Sequence, residues 1–190
     1  ALAIPSFAFA VATPGEMAPD FAETDATGAK HSLADFKGEW VVIEWFNKDC
    51  PYVKKHYGSG NMQALQKKYT DQDIQWLTVI SSAKGKQGYL ESDEAQTVYA
   101  DLGLASSAPL LLDVDGSMGR AYGAKTTPHM FIINPEGKVV YAGAIDDNDS
   151  ANPAVIPAST NYVSAALDSV QGGGSVEVAS SRSYGCSVKY

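Results

Sequence analysis

A mixed α/β fold is predicted, with helices flanking a central sheet that is parallel in its core and antiparallel at one edge. Two observations carry this expectation. Apolar, strand-like runs at residues 40–46, 74–80 and 109–113 are separated by segments of helical periodicity, and strands with helices between them join by parallel crossovers. A hairpin follows: Met130-Phe131-Ile132-Ile133, the turn Asn134-Pro135-Glu136-Gly137, and a second apolar stretch from Lys138 to Ala144. A hairpin adds antiparallel pairs, so the sheet is mixed.

The elements follow in order. Residues 1–13 form an apolar segment in which Ala8-Phe9-Ala10 has the pattern of a secretory cleavage site. The segment reads either as the remnant of a signal peptide or as chain that packs on the domain. Export implies a periplasmic or secreted protein. Residues 14–172 form one domain, and 173–190 form a Gly- and Ser-rich tail that carries Cys186. Asp25-Ala26-Thr27-Gly28 is a turn between two short strands, an N-terminal hairpin extension. Trp40 to Phe46 is a buried central strand, with Glu44 as its one charged residue. Pro51 suits the first turn of a helix, and Gly58-Ser59-Gly60 interrupts that helix. Met62, Leu65 and Tyr69 continue an apolar stripe, and Ile74 to Ile80 is the second strand. Ala95, Val98, Tyr99 and Leu102 mark a helix, Pro109 to Asp113 the third strand, and Asp115-Gly116 a turn. Val163, Ala166, Leu167 and Val170 mark the last helix, closed by Gly172.

Charge and cysteine content narrow the function. A net charge of −8 argues against nucleic acid and anionic membrane surfaces as partners. No stretch is long and apolar enough to span a bilayer. No phosphate-binding glycine loop or dinucleotide fingerprint is present, so no organic cofactor is implied. The two cysteines, Cys50 and Cys186, permit one disulfide in an exported chain.

A cysteine directly after the first core strand and a Thr127-Pro128 before the hairpin give this order of elements a resemblance to the thioredoxin superfamily. Ala18-Pro19-Asp20-Phe21, Gly28 and Leu33-Ala34-Asp35-Phe36-Lys37-Gly38 resemble the entry of its redoxin (AhpC/TSA) branch. The resemblance runs from about residue 14 to 170. Asn47 to Tyr57, with Gly185 to Tyr190 at the end of the chain, resemble a peroxiredoxin-like subgroup with a single Cys in place of Cys-x-x-Cys. The second position of that motif is Val53 here, so the local dithiol is absent. Asn47 stands where peroxiredoxins carry a Thr, and Thr126-Thr127-Pro128-His129 lacks their Arg, with Arg120 elsewhere in sequence.

The candidate site follows. Cys50 at a helix N-terminus is favoured as thiolate by the macrodipole, with Lys48, Lys54 and Lys55 adding positive charge and Asp49 opposing it; the alternative is an inert buried cysteine. By resemblance to thioredoxins, Glu44 is either the buried carboxylate that relays protons to the leaving thiol or a carboxyl held by a lysine or by water. Strand alternation places it on the inner side of the sheet, where burial raises its pKa. Also by resemblance, Thr127 and Pro128 form a cis-proline element that offers backbone to an extended substrate, with Pro51 beside the thiol. His129 is either a group that approaches Cys50 or a plain strand residue. His56 lies off the Cys50 face of its helix. Cys186 is the resolving thiol, or a structural staple, or a thiol that never meets Cys50. Asp146-Asp147-Asn148-Asp149 is either a solvated acidic loop or a site for a hard cation such as calcium, and it lacks the spacing of a calcium loop. No metal is assigned.

The reading is a thiol-disulfide oxidoreductase acting through Cys50. Its substrates are thiol- or disulfide-bearing proteins or small molecules, and a homodimer is left open. The alternatives are a thiol peroxidase and a non-enzymatic binding module for a protein or a soft metal.

Overall fold

Val41-Val42-Ile43-Glu44-Trp45 has no turn former and three β-branched residues in a row, and it forms strand β3 (Val41–Trp45), buried along its whole length. The computed structural model describes residues 11–103 and 108–190. The cleavage-site pattern at residues 8–10 lies outside the described residues. Before β3, β1 (Ala22–Thr24) and β2 (Lys30–Ser32) pair antiparallel across the predicted turn. Asp25 closes that turn by accepting from the backbone of Thr27 and Ala29.

The central sheet has the order β5-β4-β3-β7-β8. Strands β4 (Gln75–Ile80) and β5 (Leu110–Leu112) run parallel to β3. Strands β7 (His129–Ile133) and β8 (Val139–Gly143) form the predicted hairpin and complete a mixed sheet. Alternation sorts its side chains into two layers. Val42, Trp76, Ile80, Met130 and Ile132 face one side, under α1 (Pro51–Gly58), α2 (Asn61–Thr70), α3 (Ser92–Asp101) and α5 (Tyr162–Gln171). Ile43, Trp45, Leu77, Val79 and Phe131 face the other, covered by the lead-in and by α4 (Ser117–Tyr122).

The sequence pattern does not contain α4. It is short, and only Met118 and Tyr122 are large apolar anchors. Its ends are set by Gly116 and Gly123 in the left-handed region and by the Asp113 carboxylate, which accepts from the amides of Met118 and Gly119 at 3.2 and 2.8 Å. The Asp115-Gly116 turn is therefore the entrance to a helix.

The tail returns to the domain. Its strand β9 (Cys186–Ser187) pairs antiparallel with β6 (Thr126–Thr127), with Cys186 opposite Thr127. On either side of β9 the chain is fastened to other elements. The Ser181 hydroxyl lies between the Tyr141 hydroxyl and the Ala144 amide, and the Tyr190 hydroxyl donates to the Ala124 carbonyl at 2.8 Å.

Candidate active site

Cys50 ends the loop after β3 and serves as the N-cap residue of α1, with Pro51 at the first helical position. The loop is braced by Asn47, whose carbonyl accepts from the Asp49 amide at 2.9 Å and whose amide donates to Gln87. The Cys50 thiol is fully buried and donates to the Thr127 carbonyl at 3.0 Å. The Thr127–Pro128 bond is cis. Cys186, opposite Thr127, is partly exposed and is the second thiol at this point. Both cysteines are free.

The two thiols are electrostatically unequal. Burial pushes the Cys50 thiol up, but hydrogen bonds from the Cys186 thiol and Thr127, and from the amides of Val53 and Cys186, outweigh it and leave it below its ordinary value. Cys186 is pushed up to about 11, first by burial and then by its hydrogen bond to Cys50 and the charge there. The contact with the Thr127 carbonyl suits only the protonated sulfur, so ionised Cys50 turns to the amides and to the Cys186 thiol.

The expected lysines contribute differently. Lys48 is paired with Asp49 at 3.0 Å. Lys55 is buried and engaged by Asp146 at 3.1 Å, by the Asn148 carbonyl at 2.7 Å and by the Tyr184 hydroxyl at 3.2 Å. Asp146 is thus a buried counter-ion, not part of a solvated acidic loop. The Tyr184 hydroxyl also donates to Asp146 and lies 3.3 Å from His56 Nε2. Burial, with Lys55 nearby, holds His56 down to about 4 against the pull of Asp146, so it is neutral at pH 7. Tyr184 is two residues before Cys186, so this cluster fixes where the second thiol lies.

Glu44 is on the α1 side of the sheet and fully buried. Its carboxylate accepts from Tyr57 at 2.9 Å, from Trp76 at 3.1 Å and from Gln66 at 3.4 Å, and these hydrogen bonds do not extend to Cys50. Burial raises it to about 7 in spite of those donors. His129 projects to the opposite side, with Phe131. Its Nδ1 accepts from the Lys125 amide at 3.2 Å, and its ring lies 4.6 Å from that of Phe131. Burial and the nearby Lys125 charge bring it to about 4. It borders a groove of about 460 Å³ that is also lined by Tyr122, Lys125, Thr126 and Arg182. Sequence reasoning missed Tyr184 and Tyr190. Their signals were the aromatic character of the tail's end and, for Tyr190, its strand-like alternation with Cys186 and Val188.

Comparison with known proteins gives the family and the fold. The chain is similar to the thiol-disulfide oxidoreductase ResA of Bacillus subtilis (strain 168), at 29% identity over 126 residues, covering 66% of this chain and 64% of ResA. An uncharacterized conserved protein from Geobacillus kaustophilus superposes with a TM-score of 0.77 at 27% identity, covering 100% of this chain and 98% of that one. The pneumococcal exposed lipoprotein thioredoxin Etrx1 from Streptococcus pneumoniae strain TIGR4 superposes with a TM-score of 0.51 at 26% identity, covering 65% of this chain and 87% of its own. The chain spans somewhat under two thirds of the length of ResA, whereas the likeness to the Geobacillus protein extends over nearly all of both chains. The AhpC/TSA family profile matches residues 14–142, and the chain, a thioredoxin-like redoxin in its fold, belongs to the AhpC/TSA family.

Proposed function

We propose that this protein is an extracytoplasmic thiol-disulfide oxidoreductase whose redox couple is Cys50 and Cys186. The observation that carries the reading is the double role of Thr127, which holds the Cys50 thiol by its carbonyl and the Cys186 backbone by strand pairing. Val53, in the second position of the usual dithiol motif, is packed in the core. Cys186 brings from the tail the thiol that this position lacks. The couple cycles between dithiol and disulfide, and a pair of partner thiols or a partner disulfide balances the two electrons and two protons.

The names of ResA as a thiol-disulfide oxidoreductase and of Etrx1 as an exposed lipoprotein thioredoxin support this reaction class and compartment. Among the described residues no helix is long and apolar enough to cross a membrane. Within the family we place the chain in the peroxiredoxin-like subgroup with one Cys at the motif, on the segments around Cys50 and Gly185 to Tyr190. Thr127, Pro128 and Pro51 form the platform at the couple, His129 borders the groove behind it, and Glu44 is the acid in reserve beneath α1. Peroxide chemistry is less well supported. Asn47 is committed to Asp49 and Gln87, and the Arg120 guanidinium lies 4.6 Å from the Tyr190 ring, so neither is aimed at Cys50.

The test is oxidation of the purified full chain with glutathione disulfide, followed by intact-mass and peptide-map analysis. The expected product has lost two hydrogens and joins the Cys50 and Cys186 peptides. It returns to the dithiol with dithiothreitol, and Cys50→Ser and Cys186→Ser both abolish disulfide turnover. Two thiols still open to alkylation in unfolded, oxidant-treated protein would refute the couple.

A further inference from the structure

We infer that partner thiols and disulfides exchange with this protein at the sulfur of Cys186, with Cys50 as the inner sulfur of the couple. This rests on the couple proposed above and reverses the order expected from sequence, in which Cys50 meets the substrate first.

The argument begins with access. Cys50 is 0% exposed, and its Sγ lies under the Thr127 carbonyl and the paired strands β6 and β9. Cys186 is partly exposed, on the short strand that does the covering. A nucleophile must reach a sulfur from outside, and of the two only Cys186 offers surface.

The cover is built into the domain on both sides of Cys186. Before it, Tyr184 is held by Asp146, Lys55 and His56, with its ring 5.6 Å from that of Tyr52. After it, the Val188 amide donates to the Lys125 carbonyl at 3.1 Å, the Lys189 carbonyl accepts from the Ala83 amide at 2.8 Å, and Tyr190 reaches Ala124. The body of the domain leaves room for this path. A Cβ at Gly116 or Gly119 would stand 2.5 Å from the Tyr190 side chain. Gly185 has φ +128°, and a Cβ there would stand 2.1 Å from the Thr127 carbonyl oxygen. Lifting the tail would break all of these contacts together.

The chemistry follows the geometry. Starting from the Cys50–Cys186 disulfide, a partner thiolate attacks Cys186 Sγ. The bond between the two cysteines breaks, a mixed disulfide forms on Cys186, and Cys50 leaves as a thiolate received by the Val53 and Cys186 amides. A second partner thiolate then attacks the partner sulfur of the mixed disulfide. Partner disulfide departs, and Cys186 takes up a proton. Two partner thiols are oxidised and the couple is reduced by two electrons. In the opposite direction Cys186 attacks a partner disulfide: its sulfur joins one partner sulfur, and its proton goes with the partner thiolate released. Cys50 then attacks Cys186 Sγ, the intramolecular disulfide forms, and the second partner sulfur leaves as a thiol carrying the Cys50 proton. The inner sulfur is the better leaving group because it is the more acidic thiol of the two.

The experiment treats the reduced, folded full chain with substoichiometric iodoacetamide and maps the label. It also measures the rates at which folded Cys50→Ser and Cys186→Ser react with Ellman's reagent. The label is expected on Cys186 first, although Cys50 is the stronger acid. The Cys50→Ser variant is expected to react at least tenfold faster than Cys186→Ser, with the difference vanishing in urea. Circular dichroism before each run establishes that the variant is folded, and the wild-type label map stands if one variant is not. Label on Cys50 first, or Cys186→Ser reacting as fast as Cys50→Ser, overturns the inference while the couple survives. Absence of any Cys50–Cys186 bond after oxidation overturns both.

Discussion

Glu44 has no solvent and no cation beside it, only three neutral donors, and its pKa of about 7 stands against an ordinary 4.5. Below pH 4.5 it is neutral folded and unfolded and costs nothing. Above pH 7 it is ionised in both states, and burial then costs the native state ~3 kcal/mol. Its contribution to stability therefore falls as pH rises from 4.5 to 7. His56 and His129, each brought to about 4 by burial, act in the opposite sense, losing stability as pH falls from 6.5 towards 4. The wild-type profile is a sum of these, so the difference between proteins is the useful quantity. Urea unfolding of Glu44→Gln against wild type is expected to shift in favour of the variant by ~3 kcal/mol between pH 4.5 and 8. A difference independent of pH would contradict the assignment. Gly185→Ala is a second test at this scale. With φ +128° and a carbonyl oxygen in the way, the variant is expected to lose the β6–β9 pairing, read as faster exchange of the Cys186 and Val188 amides.

At the scale of elements, α1 performs two jobs from two of its faces. Its N-terminus receives the Cys50 sulfur, and its last turn carries Lys55 and His56 to the cluster that anchors the tail. The ion pair there is unlike those on the surface. Lys67–Asp71 on α2 is exposed at 74% and 60%, and such pairs are worth ~0–1 kcal/mol. Lys55–Asp146 is exposed at 0% and 3%, so removing one partner strands a buried charge. Lys55→Met is expected to destabilise by ~3–5 kcal/mol in urea unfolding, and Lys67→Met by less than ~1 kcal/mol. It should also accelerate alkylation of Cys50, because the tail that covers the thiol loses its Tyr184 anchor. Parts of these elements were legible beforehand. The break at Gly58-Ser59-Gly60 separates α1 from α2, and Pro51 opens α1. Helix α4 was not legible, because six residues with two large apolar anchors carry too little periodicity to register.

At the scale of the whole molecule, a Cys50–Cys186 bond would close almost the entire domain into one loop. Cross-linking so long a segment stabilises by ~5 kcal/mol in the chain-entropy account. Oxidised protein is therefore expected to unfold at higher urea concentration than reduced protein, and Cys186→Ser is expected to show no difference between oxidising and reducing buffer. Equal midpoints for oxidised and reduced wild type would mean that strain in the native state offsets the entropic gain.

The sequence by itself determined the mixed sheet, the order of its elements, the place of Cys50 at a helix start and the Thr127-Pro128 step. Those features are written in local periodicity and in adjacent residues, so no knowledge of distant chain is required. Only the tertiary structure decided that Cys186 lies opposite Thr127, that Lys55 serves Asp146 instead of the thiol, and that Glu44 is held by Tyr57, Trp76 and Gln66. Each of these joins groups apart in sequence through a strand of two residues or a few buried hydrogen bonds. Such contacts leave no period to read, and they form only when the packed layers bring the partners together.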